Sequence, residues 1–241
     1  MRIAIFGDIH ANLQALEAVL GEIRTQRFDA IYCLGDLVGY ATSPNDVIDR
    51  IRREAIPTVM GNYDDGVGFD RKECGCAYRD PDEQRRGDQS LEWTKTRVRS
   101  ENKAFLRSLL PEIRFEADGR RMLLVHGSPR RINEYLFEDR PLSSFQRLAA
   151  SSNADVIVYG HTHKPYSKMV DGVLFVNVGS VGKPKDGDPR ACYAIVETNQ
   201  PAARFVRVPY DVATAADAIR ASELPPEFAA DLETGGAAPT R

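Results

Sequence analysis

Long apolar runs are missing from this chain. None approaches the roughly 18 residues that a membrane-spanning helix needs, so no membrane partner is expected. The N-terminal MRIAIFGD is too short in its apolar part for a signal peptide, and it runs straight into Gly7-Asp8. It reads better as a first buried strand. Cysteine is scarce: four in 241 residues exclude a disulfide framework, and a reducing cytoplasm is the expected compartment. No sign of charge dominates. A formal net charge of -3 and a pI near 5.9 argue against general nucleic-acid binding, which needs a basic face. Pairs such as Arg52-Arg53 and Arg120-Arg121 read as solvated surface. There is no internal repeat and no clear domain boundary. Histidine is also rare, with four in the chain.

What is present is an alternation of strand and helix signals. IAIF ends at Gly7, and Leu13, Leu16, Leu20 and Ile23 follow as a helical stripe. AIYCL (30–34) ends at Gly35-Asp36. Ser43 and Pro44 open a second helix over 43–53. IPTVM (56–60) reads as a third strand, ending at Gly61-Asn62. This βαβαβ order predicts a parallel sheet. Residues 64–100 are polar and Gly-rich, and are expected to be an irregular insertion that ends in a helix over SLEWTKTRV. Later strands are predicted at IRFEA, RRMLLVH, DVIVYG, PYSKMV, VLFVNV, CYAIVET and ARFVRVPY, with helices at 102–110, 142–152 and 211–222. The expected unit is one domain over 1–222. The segment 223–241, with Pro225-Pro226 and Gly235-Gly236, is expected to be a disordered tail.

The chemistry-bearing residues gather where strands stop. Asp8 and His10 follow the first strand, Asp36 the second, Asn62 the third, His126 the RRMLLV strand, and His161 and His163 the DVIVY strand. All four histidines are in this set. In open α/β sheets, ligands collect at the carboxyl ends of strands. Any one of these histidines alone reads as a surface residue; seven ligand-type residues at five strand ends do not. Imidazole with carboxylate and no thiolate suits Mn, Fe, Zn or Ni. Seven ligands exceed what one ion takes, and fit two ions sharing a bridging carboxylate.

DIH, GDLVGY, GNYD, HGS and GHTH, in this order, resemble the calcineurin-like metallophosphoesterases over residues 1 to about 208. The absence of an added cap domain, and the stretch VNVGSVGKPKDGDPRA, are most similar to the small bacterial and archaeal phosphodiesterase branch. The resemblance implies an α/β (α+β) fold, a four-layer αββα sandwich of two mixed sheets flanked by helices. It implies that Asp8, His10 and His163 hold one ion, that Asn62, His126 and His161 hold a second, and that Asp36 bridges them. It also places Asn62 and His126 near a phosphate oxygen, as catalytic residues. Two such ions, about 3.5–4 Å apart, lower the pKa of a water between them and clamp the oxygens of an in-line displacement. The glycines beside the ligands (Gly7, Gly35, Gly61, Gly160) are expected to let the backbone turn sharply.

Two positions depart from the family pattern. Gly39 stands where an Asp is usual, and Tyr63 where a His is usual. In members that keep both, these form a dyad at the leaving group. Tyr63 is either a packed aromatic or a surface on which substrate stacks. Arg130 and Arg131, just after His126-Gly127-Ser128-Pro129, are either surface charge or a forked contact to a substrate phosphate. Cys74 and Cys76 are structural, incidental or weak evidence of a further metal. The leading expectation is a dinuclear phosphodiesterase acting on a small phosphoester. A phosphomonoesterase is the alternative, and a non-catalytic scaffold or a nuclease is less favoured. A homo-oligomer stays open.

Overall fold

A computed structural model gives the fold of residues 1–78 and 80–237, to which the description is confined. The chain runs β1 (Arg2–Phe6), α1 (Leu13–Arg24), β2 (Ala30–Cys33), α2 (Pro44–Arg53), α3 (Asn62–Gly68), α4 (Pro81–Arg97), α5 (Ser100–Ser108), β3 (Glu112–Ala117), β4 (Arg120–Val125) and α6 (Leu142–Ser152). Then follow β5 (Val156–Tyr159), β6 (Tyr166–Val170), β7 (Val173–Asn177), β8 (Ala191–Glu197), β9 (Ala202–Val208), α7 (Val212–Arg220) and α8 (Glu227–Thr234). One sheet has the order β2-β1-β8-β9, the other β3-β4-β5-β7-β6. Both mix parallel and antiparallel pairs: β1 runs parallel to β2 and antiparallel to β8.

The period of two along each strand builds the layers. Ile3 and Ile5 of β1 face Met122, Leu124, Val156 and Val158 of the other sheet, in a core between the sheets. Ala4 and Phe6 point the other way, toward Leu16, Val19 and Leu20 of α1 and Val47 and Ile51 of α2. On the far side, Leu123, Ile157 and Phe175 pack on Phe145 and Leu148 of α6. The result is the four-layer αββα sandwich. Among the described residues no helix is long and apolar enough to cross a membrane.

Three expectations are corrected. IPTVM is not a strand: Thr58 and Val59 make only isolated bridges to Cys33 and Leu110. Pro57, which has no N–H to donate, contributes only its carbonyl, to Cys33 N. The 64–100 segment is mostly helical, because Asn62 already opens α3 and α4 begins at Pro81. Asp80 caps α4 by accepting from Glu83 N, with Pro81 in the first turn, the start signal of a helix. The segment from 223 is not a loose tail over its described part. It forms α8, whose Phe228, Ala229 and Leu232 are buried against Ala11, Ala41, Ala216 and Ile219. The expectation of disorder for 238–241 lies outside the described residues.

Candidate metal centre

Five loops converge at the carboxyl edges of the two sheets. They bring together all seven ligand-type residues, none more than 3 % exposed. Five of the seven have left-handed backbone: Asp8 (φ 52°), His10 (50°), Asp36 (51°), His161 (66°) and His163 (60°). Each such residue stores strain of about 1 kcal/mol or more, and strain of this kind concentrates at functional sites.

Two clusters result, Asp8 with His10 and His163, and Asp36 with His126 and His161. Each carboxylate is held by one oxygen and aims the other. Asp8 Oδ2 accepts from His161 N at 2.9 Å, and Asp8 Oδ1 lies 3.2 Å from His163 Nε2. Asp36 Oδ1 accepts from Tyr63 N at 2.8 Å. Asp36 Oδ2 lies 3.3 Å from His126 Nε2 and 3.7 Å from His10 Nε2, between the clusters. A Cβ at Gly160 would sit 2.4 Å from Asp8 Oδ2, and one at Gly61 2.1 Å from Asp36 Oδ1. Of the four glycines expected to provide sharp turns, only Gly35 has positive φ (82°). Gly61 and Gly160 serve instead to let a carboxylate pack against bare backbone.

The imidazoles are oriented from behind. His10 Nδ1 donates to Val38 O at 3.0 Å, His126 Nδ1 to Leu34 O at 2.8 Å, and His163 Nδ1 to Lys183 O. A carbonyl only accepts, so each Nδ1 carries the proton and each Nε2 faces the site. His10 Nε2 and His163 Nε2 then face each other at 3.2 Å with no proton between them. Asn62 repeats the pattern. Its Nδ2 donates to Cys74 O at 3.1 Å and contacts Cys76 Sγ at 3.2 Å, which turns Oδ1 toward His126 Nε2 at 3.0 Å. Asp8 Oδ1 and His161 Nε2 are buried without a hydrogen-bond partner among the described residues. Acceptors facing acceptors in a buried site are costly unless a cation lies among them. The donor set therefore fits divalent metal ions. Burial holds His10 and His161 down at about 3. His126 differs: burial opposes its charge, but Asp36 and then Asp8 carry it up to about 10.

Sequence reasoning missed Asp64. Its Oδ2 accepts from Asp36 N (2.8 Å) and Gly61 N (3.0 Å), and its Oδ1 from Leu37 N (2.9 Å). One buried side chain thus ties together the loops that carry Asp36 and Asn62. Cys74 and Cys76, free thiols with sulfurs 2.9 Å apart, serve as the rest for the Asn62 amide.

The expected substrate contacts are not all at the site. Tyr63 is 1 % exposed and stands edge-on to His10, with ring centroids 5.5 Å apart. No substrate stacks there. Its ring lies on Gly39, where a Cβ would be 2.4 Å from Tyr63 Cδ1. The two departures are thus one packing unit, a large ring filling space that a side chain at 39 would need. Arg130 and Arg131 are exposed. Arg130 Nε is engaged by Glu134 at 3.1 Å, and Arg131 uses its carbonyl to accept from Ser128 N. Neither lines the cleft of about 300 Å³ beside the clusters. Its walls are aromatic and mixed in charge: Tyr40, Tyr135 and Phe228 stand beside Lys164, Lys183 and Lys185, and Glu83, Glu227 and Asp231 also line it. Tyr40 packs on His10 and Tyr135 on His161, with centroids 4.9 and 4.0 Å apart.

Comparison with known proteins agrees with this geometry. The chain is 34% identical to an uncharacterized protein of Methanocaldococcus jannaschii, over 92% of this chain and 93% of that protein. It is 26% identical to phosphodiesterase YfcE of Escherichia coli K12, over 83% and 89%. The crystal structure of a metallophosphoesterase from Sphaerobacter thermophilus superposes with a TM-score of 0.79 at 30% identity, over 98% and 99% of the two chains. The model of the calcineurin-like phosphoesterase superfamily domain matches residues 1–201. With a four-layer sandwich beneath two buried Asp/His clusters, the chain belongs to the calcineurin-like phosphoesterase superfamily.

Proposed function

We propose that this protein is a dinuclear metal-dependent phosphoesterase that favours phosphodiesters. The observation that carries it is the facing acceptor pair His10 Nε2 and His163 Nε2, with the unpartnered Asp8 Oδ1 and His161 Nε2, around an Asp36 carboxylate that reaches both clusters. Asp8, His10 and His163 would hold one ion; Asn62, His126 and His161 would hold the other; Asp36 would touch both. When bound, such ions supply a nucleophile at neutral pH and Lewis-acid stabilisation of a phosphoryl group. Imidazole with carboxylate selects Mn, Fe, Zn or Ni as a class.

The chain's own residues do the rest. Backbone carbonyls orient three histidines; the Nε2 atoms of His10 and His163 are ready without a proton loss, whereas His126 would give up its Nε2 proton to a bound ion. Tyr40 and Tyr135 wall the clusters and restrict water. Lys164 offers the cleft a positive charge for an anionic ester, while Lys183 is paired with Asp231. The preference for diesters rests on Gly39 and Tyr63. No imidazole occupies position 63, so a poor alkoxide leaving group lacks a proton donor there, and a general acid is typically worth ~10²–10⁴-fold. A monoester dianion also gains less than it would beside a protonated histidine. The kinship with a phosphodiesterase supports the same reading.

Metal analysis of protein purified without chelator tests it. About two ions per chain are expected, as the seven-ligand scheme requires, and Asp36→Asn should weaken both. One ion or none at saturating metal overturns the dinuclear scheme. Matched aryl diester and monoester substrates test the preference; faster hydrolysis of alkyl monoesters overturns it.

A further inference from the structure

The segment Gly182–Arg190, which carries GKPKDGDPR, is a rigid platform beside the centre. Val181 N and Gly182 N donate to Gly7 O and Asp8 O, each at 3.0 Å, and Ser180 Oγ donates to Asp8 O at 2.8 Å. A Cβ at Gly182 would lie 1.8 Å from Ile9 O. The platform is therefore docked on the loop that holds Asp8 and His10. Its other edge is strapped by the C-terminal segment. Gly187 N donates to Gly235 O at 2.9 Å, and a Cβ at Gly236 would lie 2.7 Å from Pro184 O and 3.0 Å from Lys185 Cα.

Nearly every charge on this platform is engaged. Lys183 Nζ pairs with Asp231 Oδ2 at 2.6 Å and lies over the rings of Tyr40 and Phe228. Asp186 pairs with Arg207, and Asp188 with Arg190 at 2.7 Å. Lys185 is the exception: among the described residues its ammonium has no ion pair and no hydrogen bond. Yet it is half-buried and lines the cleft. Burial, and then the neighbouring Lys183 charge, hold its pKa below the ordinary lysine value. Lysines that leave water are nearly always paired. A lone ammonium on a braced backbone, turned into a cleft beside a candidate phosphate-processing centre, is a preorganised anion subsite.

We propose that Lys185 is a specificity-determining residue that receives a second phosphate of the substrate. The favoured substrates are then phosphodiesters bearing a further phosphate beyond the one that reacts. This deepens the proposed function and rests on it. The aromatic cleft walls between Lys185 and the clusters suit an organic group linking the two phosphates.

The test uses metal-loaded full-length protein and two nucleotide pairs. The first pair is thymidine 3′,5′-bisphosphate and thymidine 5′-monophosphate, whose binding is measured by calorimetry. The second is the p-nitrophenyl ester of thymidine 5′-phosphate with and without a 3′-phosphate, compared by kcat/KM. In the wild type, both ratios should favour the second phosphate by about ten-fold or more, the usual worth of a charge-assisted contact, through binding and KM rather than kcat. In Lys185→Gln both ratios should fall toward one, and Lys185→Arg should keep most of them. A wild-type binding ratio near one, a ratio that persists in Lys185→Gln, or no binding of either nucleotide overturns the role of Lys185. If neither ester is hydrolysed, the proposed function fails instead, and the binding ratio still decides Lys185.

Discussion

Gly39→Ala should be among the most damaging small substitutions in this protein. The added Cβ lies 2.4 Å from Tyr63 Cδ1 and 2.6 Å from Cε1. Tyr63 cannot step aside, because its ring is flanked by His10 and Tyr40, with centroids 5.5 and 4.8 Å away. Position 39 also has φ +94°, where a residue with a Cβ is strained by about 1–3 kcal/mol. Overpacking adds about 1–3 kcal/mol more. The sum is about 4 kcal/mol, or about 8–16 °C in Tm for a domain of this size. Tyr63→Ala alone should cost about 3–5 kcal/mol by emptying the space. In the double variant the steric part disappears and the backbone strain stays. The double should therefore be milder than the sum of the singles by about 1–3 kcal/mol. Urea unfolding of the four proteins, followed by circular dichroism, measures this coupling. Additivity within about 0.5 kcal/mol, or a Gly39→Ala cost below about 1 kcal/mol, refutes the packing unit. The same unit bears on catalysis: Gly39→Asp is tolerable only with Tyr63→His, and the pair should raise alkyl monoester hydrolysis more than either change alone.

Asp64→Ala leaves three buried N–H groups unpaired and should cost about 3–5 kcal/mol; chelator competition should also show weaker metal retention, and full retention refutes its role as a tie. A chain ended at Ser222 should lose Tm and activity, since Phe228 alone is worth about 3–5 kcal/mol; unchanged melting and turnover would mean that α8 is ornamental. For Glu134, burial raises the pKa, but Arg130, Ser128 and Arg140 outweigh it and bring it to about 2, so its stabilisation is present above the ordinary value and lost as pH falls from about 4.5 toward 2. Glu134→Gln should therefore destabilise by about 1–2 kcal/mol near neutrality and progressively less in acid; an equal loss at both ends, read by urea titration, contradicts the ion-pair origin.

The ligand-type residues were legible because scarcity marked them. Four histidines and three partners, each directly after a run of strand formers, leave little room for accident. Most strands were legible as short runs of strand formers ended by glycine or polar turn residues, and IPTVM alone misled. What escaped depends on pairs distant in sequence or on side-chain competition. Asp64 looks like an ordinary acid in the first turn of a helix; nothing local says that its partners are Asp36 N and Leu37 N. Arg130 looked free for phosphate, but Glu134, four residues on, claims it. The segment after 223 has the punctuation of a loose tail. Only Phe228 and Leu232, one turn apart and buried on a surface made by α7 and the Ala11 and Ala41 loops, made it a helix. The lone ammonium of Lys185 could not be read at all, since Lys183, Asp186 and Asp188 lie close by in sequence and only the fold shows which of these charges are engaged.

The place of β1 in its sheet bears on how such a protein is born. β1 lies between β2 and β8, with Ile3 opposite Val196 and Ala4 opposite Ile195. During synthesis, all seven ligand-type side chains have emerged by residue 163, but the strand that flanks β1 on its other side has not. Long-range pairing of this kind is slow to form. The nascent chain therefore displays a flexible chelator before it owns a rigid one, and a flexible chelator follows intrinsic affinity rather than geometry. On the proposed dinuclear reading, selection among metals would fall to the last third of the chain. When β8 and β9 close the sheet and the C-terminal glycines strap the 182–190 platform, an ion that did not suit the final cage would be left in a strained site and would exchange.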